Sequence, residues 1–340
     1  MGFGVWPTLA LAALALLPIA TAKKNLVPTA HIGVDMGSQW LKVAAEQSVK
    51  GHRKAMLLKN AQPIVLNAEG ARKTPSAIAL RDDNILVGMQ ALSLQSRYPD
   101  MCFAHTNQML GRAGGSADGP PWFAAHGYRY RWEDDRRGAA RVSAGPELSV
   151  EAEVLSGLLL AQVDDMVAAQ LSDSGGQFAA THIALAVPPA WNDAQRHALL
   201  DAAGLAALGG GEAEVLLVNS HVALAFKYAI NLKLLQDEPD SDKAQHTALI
   251  VDAGATVVTA SVVSVQAVRK SKNIAERLRV RSVAWTDEAE LGGGRAVDHR
   301  IARHLAELYA TQLREGCDAA ADQCDATADS VWGDARAVMM

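Results

Sequence analysis

The hydrophobic positions of the chain fall into short runs typical of strands and longer one-faced runs typical of helices. The short runs predict strands at residues 31–37, 41–45, 55–66, 77–80, 128–132, 182–187, 215–218, 247–265 (two strands) and 279–285. The longer runs predict helices at Tyr98–Leu110, Ser149–Leu171, Asp193–Ala207, Val222–Leu235 and Val297–Leu313. Because strands and helices alternate, with glycine turns after strands, the pattern predicts an α/β fold.

Two segments share one pattern, in which an apolar strand ends in Asp-x-Gly and a second strand follows at once. One contains Asp35 and the other contains Asp252. So tight a connection between two strands predicts a hairpin in each segment. The repetition indicates a duplicated architecture, with one such unit in each of two lobes.

The residue types at both turns suit a phosphate group. Glycine lets backbone N–H groups come close to a phosphate, and Ser38 adds a hydroxyl donor. Asp35 and Asp252 are suited to hold the water shell of a magnesium ion. Either turn alone has an alternative interpretation as a ligand-free turn whose Asp bonds to its own loop. Together they indicate a nucleotide held between two lobes.

The first 22 residues differ from the rest of the chain. The run Leu9–Ile19 is apolar but shorter than the about 20 residues that span a bilayer. Small residues at positions 20–22 then precede Lys23, as signal peptidase requires. These features predict a cleaved secretory signal peptide over residues 1–22, with an uncleaved anchor as the alternative.

Composition narrows the classes of function further. The 340 residues carry a net charge of −5, without the basic surface typical of a nucleic-acid-binding protein. No later run of apolar residues is long enough for stable membrane insertion. The three cysteines, Cys102, Cys317 and Cys324, do not have zinc-site spacing. They are interpreted as buried or free thiols, with a Cys317–Cys324 disulfide as the alternative in an oxidising compartment.

Five motifs in one order resemble the heat shock protein 70 family. They are the first phosphate loop at Ile32–Ser38, the segment Arg72–Ser76, the connecting segment Val187–Arg196, the second phosphate loop at Asp252–Ala255 and the turn Leu291–Gly293. The resemblance implies an actin-like ATPase fold built from two ribonuclease-H-like lobes. It places lobe I at residues 23–217 and an incomplete lobe II at residues 218–340.

The predicted signal peptide, Leu110–Arg112 and Leu148–Glu151 are similar to the large endoplasmic-reticulum members of this family. That resemblance implies a lumenal, ATP-binding stress-response chaperone or co-chaperone that assists protein folding. Its implied partners are the lumenal heat shock protein 70, whose nucleotide exchange it would promote, and unfolded secretory proteins. The implied ligands are ATP or ADP with Mg²⁺.

The resemblance also implies which residues contact the ligand. The nucleotide contacts are Asp35, Gly37, Ser38, Gln39, Asp252, Gly254, Ala255 and Thr256, with Asp35 and Asp252 holding Mg²⁺ through water.

Two departures from the family pattern weaken the case for an active ATPase. Asn107 stands where the family has a catalytic Lys, and an amide places no cation beside the γ-phosphate. Ser220 stands where the family has Glu, and a hydroxyl is a poor general base. The neighbouring His221 is interpreted as a surface or packing residue. No catalytic residue is assigned, and hydrolysis is expected to be slow or absent.

Three other functions stay open on the sequence. The chain is alternatively an interaction protein without a nucleotide role, a truncated paralogue without function, or a phosphotransferase such as a sugar kinase. The family's third glycine-rich loop is not found, so lobe II is expected to be incomplete and to leave apolar faces uncovered.

Overall fold

A computed structural model describes residues 29–48, 64–81, 84–112, 131–134, 138–143, 149–171, 178–232, 245–268, 277–288 and 293–315. The predicted signal peptide, most of the strand predicted at residues 55–66, and both Cys317 and Cys324 lie outside this part of the chain. The lobe boundary expected after residue 217 stays a prediction.

The strands are β1 (Thr29–Met36), β2 (Trp40–Ser48), β3 (Thr74–Pro75), β4 (Ala77–Arg81), β5 (Asn84–Val87), β6 (Cys102–Ala104), β7 (Arg131–Asp134), β8 (Ala140–Ser143), β9 (Ser149–Glu151), β10 (Ala179–Val187), β11 (Glu214–Asn219), β12 (Gln245–Ala253), β13 (Val258–Val268) and β14 (Arg277–Glu288). The helices are α1 (Met89–Leu94), α2 (Ala152–Leu160), α3 (Gln162–Gln170), α4 (Asp193–Leu205), α5 (Ser220–Asn231) and α6 (Gly293–Glu315).

The largest sheet has five strands in the order β11-β10-β1-β2-β3. Strand β1 lies at its centre, antiparallel to β2 and parallel to β10. Alternate residues of β1, from Ala30 through Ile32 and Val34 to Met36, are buried, because successive side chains of a strand point to opposite faces. The hairpin predicted at the first Asp-x-Gly segment is confirmed.

Helices α2 and α4 pack closely together beside this sheet. A side chain at Gly157 of α2 would come within 3.0 Å of the Ala202 carbonyl of α4, so the small residue permits the close approach. Helix α4 begins with a capping box in which Asn192 and Gln195 exchange side-chain and backbone hydrogen bonds. The connecting segment thus fixes where α4 starts.

The second Asp-x-Gly segment forms the β12–β13 hairpin, which β14 extends into an antiparallel sheet. Helix α5 packs against this sheet. The shared core consists of Ala225 and Ala229 from the helix with Val263 and Val265 from the sheet, and partly buried apolar residues surround it. The second predicted hairpin is confirmed, and its core is much smaller than that of the five-stranded sheet.

The helix predicted at Tyr98–Leu110 is wrong. Residues Cys102–Ala104 instead form β6, which pairs with β4. Only short 3₁₀ turns flank this strand, and His105 has a left-handed φ of 56° that interrupts any helix. Pairing with an available strand therefore overrides the local helical pattern. The predicted stop at Gly111 is correct, since this residue has a φ of 61°.

The single helix predicted at Ser149–Leu171 is also wrong in part. Its first three residues form β9, which pairs with β8, so the helical structure begins only at Ala152. The remainder divides at Ala161 into α2 and α3. Pairing with the neighbouring strand β8 therefore decides the conformation at the start of this segment.

The remaining helices lie close to their predicted positions. Helix α4 ends at Leu205, α5 begins two residues earlier than predicted at Ser220, and α6 contains the whole segment Val297–Leu313. Among the helices of the described residues, none has the length and apolar character needed to cross a membrane.

Candidate functional site

The turns of the two Asp-x-Gly hairpins face each other across a cleft of about 370 Å³. Residues of both turns line it, and the Ser38 and Thr256 hydroxyls meet at 2.7 Å in a buried hydrogen bond. Gln108 Nε2 also donates to Ser38 Oγ at 3.0 Å. The size lies within the about 300–1,000 Å³ typical of small-molecule sites.

The two turns have the same internal geometry. Gly37 N donates to the Trp40 carbonyl at 3.1 Å, and Gly254 N donates to the Val257 carbonyl at 2.9 Å. A Cβ on either glycine would lie 2.9 or 3.1 Å, respectively, from that same carbonyl. Both glycines therefore leave room for a tightly closed turn at the edge of the cleft.

The segment Arg72–Ser76 holds the first turn from outside the cleft. Ser76 Oγ donates to the Gly37 carbonyl at 2.7 Å, and Ser76 N donates to the Gln39 carbonyl at 2.9 Å. The Lys73 ammonium lies 3.8 Å from the centre of the Trp40 ring, a cation–π contact. The motif therefore positions the loop rather than contacting a ligand.

The start of α6 holds the second turn in the same way. Gly294 N donates to the Gly254 carbonyl at 3.0 Å, and Arg295 N donates to the Ala255 carbonyl at 2.9 Å. Gly293 has a φ of 80°, and a Cβ there would lie 2.5 Å from the Ala255 carbonyl oxygen. Glycine is thus required where the helix meets the loop.

Among the described residues, the charged ones that line the cleft are Asp35, Asp252 and Lys42. Lys42 Nζ lies 2.5 Å from Asp35 Oδ2, and both side chains are about half exposed, at 50% and 49%. Sequence reasoning missed Lys42. Lys42 could have been found from the register of the predicted hairpin, which places it directly opposite Asp35 on the neighbouring strand.

Asn107 and Ser220, which replace the expected Lys and Glu, both line the cleft. Asn107 is buried and its Nδ2 donates to the Met36 carbonyl at 3.0 Å, so its amide fixes the first turn. Ser220 is the first residue of α5. The structure thus places an amide and a hydroxyl at the two positions where the sequence led us to expect a Lys and a Glu.

His221 follows Ser220 and is only 3% exposed. Neither ring nitrogen has a hydrogen-bond partner among the described residues. Burial lowers the pKa of His221, so its ring is neutral near pH 7. The interpretation as a packing residue, rather than a group that acts on a ligand, agrees with this position.

The nucleotide contacts predicted from the sequence, and the two positions where a catalytic Lys and Glu were expected, all line this one cleft. They are Asp35, Gly37, Ser38, Gln39, Asn107, Ser220, Asp252, Gly254, Ala255 and Thr256. Within the described ranges, no three His, Cys, Asp or Glu side chains cluster to ligate a metal directly. Two carboxylates, those of Asp35 and Asp252, line the cleft, and one or two carboxylates are typical partners of a hydrated Mg²⁺ ion.

Comparison with known proteins finds a match to the family described as Hsp70 protein over residues 32–327. The chain is 28% identical over 312 residues to hypoxia up-regulated protein 1 of Xenopus tropicalis, covering 90% of this chain and 43% of that protein. It is 27% identical to the protein of the same name from Danio rerio, covering 91% of this chain and 29% of the relative.

A plant relative, heat shock 70 kDa protein 17 of Arabidopsis thaliana, is 24% identical, over 92% of this chain and 33% of its own length. The chain therefore spans less than half the length of each of these relatives.

Proposed function

The chain belongs to the Hsp70 protein family, and from this premise we propose that it binds ADP or ATP with Mg²⁺ in the cleft between its two Asp-x-Gly turns. Membership also confirms the α/β, actin-like ATPase fold expected from the sequence. Nucleotide binding with Mg²⁺ is a general property of the family, and the proposal assigns it to this chain.

The observation that carries the proposal is the matched pair of turns. Gly37 and Gly254 close the two turns with the same hydrogen bond, and each lacks a side chain where a Cβ would crowd the loop. Between them, the hydroxyls of Ser38 and Thr256 converge on one point. Backbone N–H groups and hydroxyls arranged around a glycine turn are donors suited to phosphate oxygens.

The carboxylates fit the magnesium ion that accompanies a nucleoside phosphate. Asp35 and Asp252 enter the cleft from opposite turns, where each would accept hydrogen bonds from the water shell of the ion. Bound Mg²⁺ supplies positive charge that offsets the phosphate charge. The ion keeps several waters when it binds beside one or two carboxylates, as the two available here would require.

Weak or absent hydrolysis is part of the proposal. A phosphoryl-transfer site needs a cation at the γ-phosphate and a group that positions the attacking water. The Asn107 amide is neutral and already donates to the Met36 carbonyl. Ser220 offers a hydroxyl where a carboxylate is expected. The cleft is therefore equipped to bind nucleotide and poorly equipped to cleave it.

We further propose that the protein acts as a chaperone or co-chaperone in the lumen of the endoplasmic reticulum. The predicted signal peptide and the similarity to hypoxia up-regulated protein 1 support this compartment. In this proposal it promotes nucleotide exchange on the lumenal Hsp70 protein and assists unfolded secretory proteins. Nucleotide in the cleft would bias the relative positions of the two hairpin units.

Titration calorimetry with Mg-ADP tests nucleotide binding. The full chain should bind one equivalent with a dissociation constant below 1 mM, and the double variant Asp35→Ala, Asp252→Ala should bind at least tenfold more weakly, a loss of about 1.4 kcal/mol. Asp201→Ala, at an exposed position of α4, is the matched control and should bind like the unsubstituted protein. Equal affinity in all three proteins would overturn the assignment.

Release of labelled ADP from the lumenal Hsp70 protein tests the partner role separately. The unsubstituted chain should accelerate release, and the double Asp variant should do so less. Full acceleration by the double variant would show that docking needs no nucleotide in this cleft. No acceleration by either protein would reject the exchange role while leaving the calorimetric result unaffected.

A further inference from the structure

Lys42 is the only cationic residue among the described residues that line the cleft. It extends from β2 beside the first turn, and its ammonium group contacts the Asp35 carboxylate. The family position for a catalytic Lys is occupied by Asn107, whose amide donates to the Met36 carbonyl instead. Lys42 is thus the described residue able to bring positive charge to a phosphate in the cleft.

Strand register explains why Lys42 lies there. Asp35 and Lys42 are direct partners across the β1–β2 hairpin, so their side chains lie on the same face of the sheet. In the second unit, Asp252 pairs in the same way with Thr259, which also lines the cleft. The position opposite the Asp therefore faces the cleft in both units, and only the first unit places a charge at it.

We propose that Lys42 is a phosphate-binding residue of the cleft. When a nucleoside diphosphate or triphosphate binds, the Lys42 side chain moves, so that its ammonium group leaves Asp35 and contacts the phosphate chain. The proposal rests on the nucleotide-binding function above and names a residue and a specificity within it. The selected ligands are those with a phosphate chain rather than a nucleoside alone.

The exposure of the Lys42–Asp35 ion pair allows the Lys42 side chain to move in this way. Both side chains are about half exposed, and an ion pair in that setting is held weakly because water screens it. The lysine stem is flexible, and its three N–H donors can turn from one acceptor to another. When Lys42 leaves, the Asp35 carboxylate becomes available to the water shell of a magnesium ion.

Charge balance within the cleft favours the same outcome. Without Lys42, the charged groups that the described residues contribute to the cleft would be the two carboxylates of Asp35 and Asp252. Like charges at close range repel, so removing the ammonium group should weaken phosphate binding in particular. Binding of the base and ribose should not depend on Lys42 to the same degree.

Calorimetry with Mg-ADP and with adenosine on the full chain tests the proposal. Lys42→Met should bind Mg-ADP about tenfold more weakly, equivalent to about 1.4 kcal/mol, and should bind adenosine as the unsubstituted protein does. Lys42→Arg keeps the charge and should retain most of the Mg-ADP affinity. Lys227→Met, an exposed position on α5, is the control for loss of a lysine elsewhere.

The possible results distinguish the role of Lys42 from nucleotide binding itself. Equal Mg-ADP affinity in Lys42→Met and the unsubstituted protein would overturn the role of Lys42 alone, as would an equal loss for adenosine. Absence of Mg-ADP binding by the unsubstituted protein would overturn both the proposed function and this inference. Urea unfolding midpoints of all variants establish that they are folded, and Lys42→Gln replaces Lys42→Met if the latter unfolds.

Discussion

At the scale of single residues, the two turn glycines are needed for space rather than for backbone conformation. Neither Gly37 nor Gly254 is among the described glycines with a positive φ. Each instead occupies a position where a Cβ would press on the carbonyl three residues later. Both turns therefore keep their shape only because neither glycine carries a Cβ.

This account predicts that Gly37→Ala is destabilising and impairs Mg-ADP binding. The added Cβ meets the Trp40 carbonyl at 2.9 Å, and a forced backbone shift of this kind costs about 1–3 kcal/mol. Urea denaturation and calorimetry measure the two effects. Gly33→Ala, in β1, has no atom within 4 Å of the added Cβ and is the matched control. Equal stability of the two variants would contradict the account.

His221 predicts a pH effect on stability. Burial lowers the pKa of His221, so the unfolded chain binds a proton first as the pH falls through about 6.5, while the folded protein does not. This residue's contribution to stability is therefore lost from about pH 6.5 downward, until the lower folded-state pKa is reached. His221→Leu cannot titrate and should lose less stability on acidification than the unsubstituted protein.

Urea unfolding at pH 7.5 and pH 5.5 measures this difference, and the unsubstituted protein should lose more stability over the interval than His221→Leu. His304→Gln removes an exposed histidine of α6 and should retain the pH dependence of the unsubstituted protein. If His221→Leu shows that same dependence, the buried ring is not its source.

The sequence predicted individual cleft residues where several residue types followed one another in a recognisable motif. The aspartates, glycines and hydroxyls of both turns were predicted, because an Asp-x-Gly turn between strands leaves few conformations. Lys42 was missed, because a lone lysine in a strand carries no motif. Only the pairing of β1 with β2 shows that it lies opposite Asp35.

At the scale of elements, the segment Arg72–Ser76 acts as a support for the first turn. Thr74 and Pro75 pair with the start of β2, and Ser76 reaches the turn itself. A short strand and one hydroxyl therefore determine where the Gly37 carbonyl lies. The segment thus supports the first turn, although it lies more than 30 residues away in the sequence.

Ser76→Ala should lower both stability and Mg-ADP affinity, since it removes the donor to the Gly37 carbonyl in a partly buried place. We expect a cost of about 1 kcal/mol in the free energy of unfolding. Ser93→Ala removes a similar hydroxyl-to-carbonyl bond at an exposed site of α1 and should change neither quantity by much. Urea unfolding and calorimetry compare the variants, and indistinguishable results would argue against a supporting role.

Two segments that the sequence pattern assigned to helices form strands instead, because a partner strand was available. Cys102–Ala104 and Ser149–Glu151 carry local signals compatible with helix, yet each pairs with a strand of a small outer sheet. Long-range pairing cannot be read from local periodicity, because the partner lies elsewhere in the chain. By contrast, α4 has a complete capping box at Asn192 and was located correctly at its start.

At the scale of the whole molecule, the two hairpin units have unequal cores. The unit around β1 belongs to an extensive buried cluster, whereas the core of the unit around β12 is limited to two helix alanines and two sheet valines with their partly buried neighbours. Several large apolar residues of the second unit are exposed, among them Leu249, Val251 and Trp285. Burial of less apolar area stabilises the second unit less.

This inequality predicts that the second unit opens first. Native-state hydrogen exchange should give β12–β14 a lower opening free energy than β1 and β10, because local stability follows buried apolar contact. Exchange measured by mass spectrometry on peptides from both regions tests this. Equal opening free energies in the two units would mean that they unfold as one cooperative body.

If both turns bind one nucleotide, saturating Mg-ADP should slow hydrogen exchange at both of them, which exchange with and without the ligand measures. The predicted result is slower exchange in the segments around Gly37 and Gly254 together, with little change in strand β7, which does not line the cleft. The same protection should be lost in the double variant Asp35→Ala, Asp252→Ala. Protection of only one turn, or of neither, would contradict a nucleotide site shared between the two units.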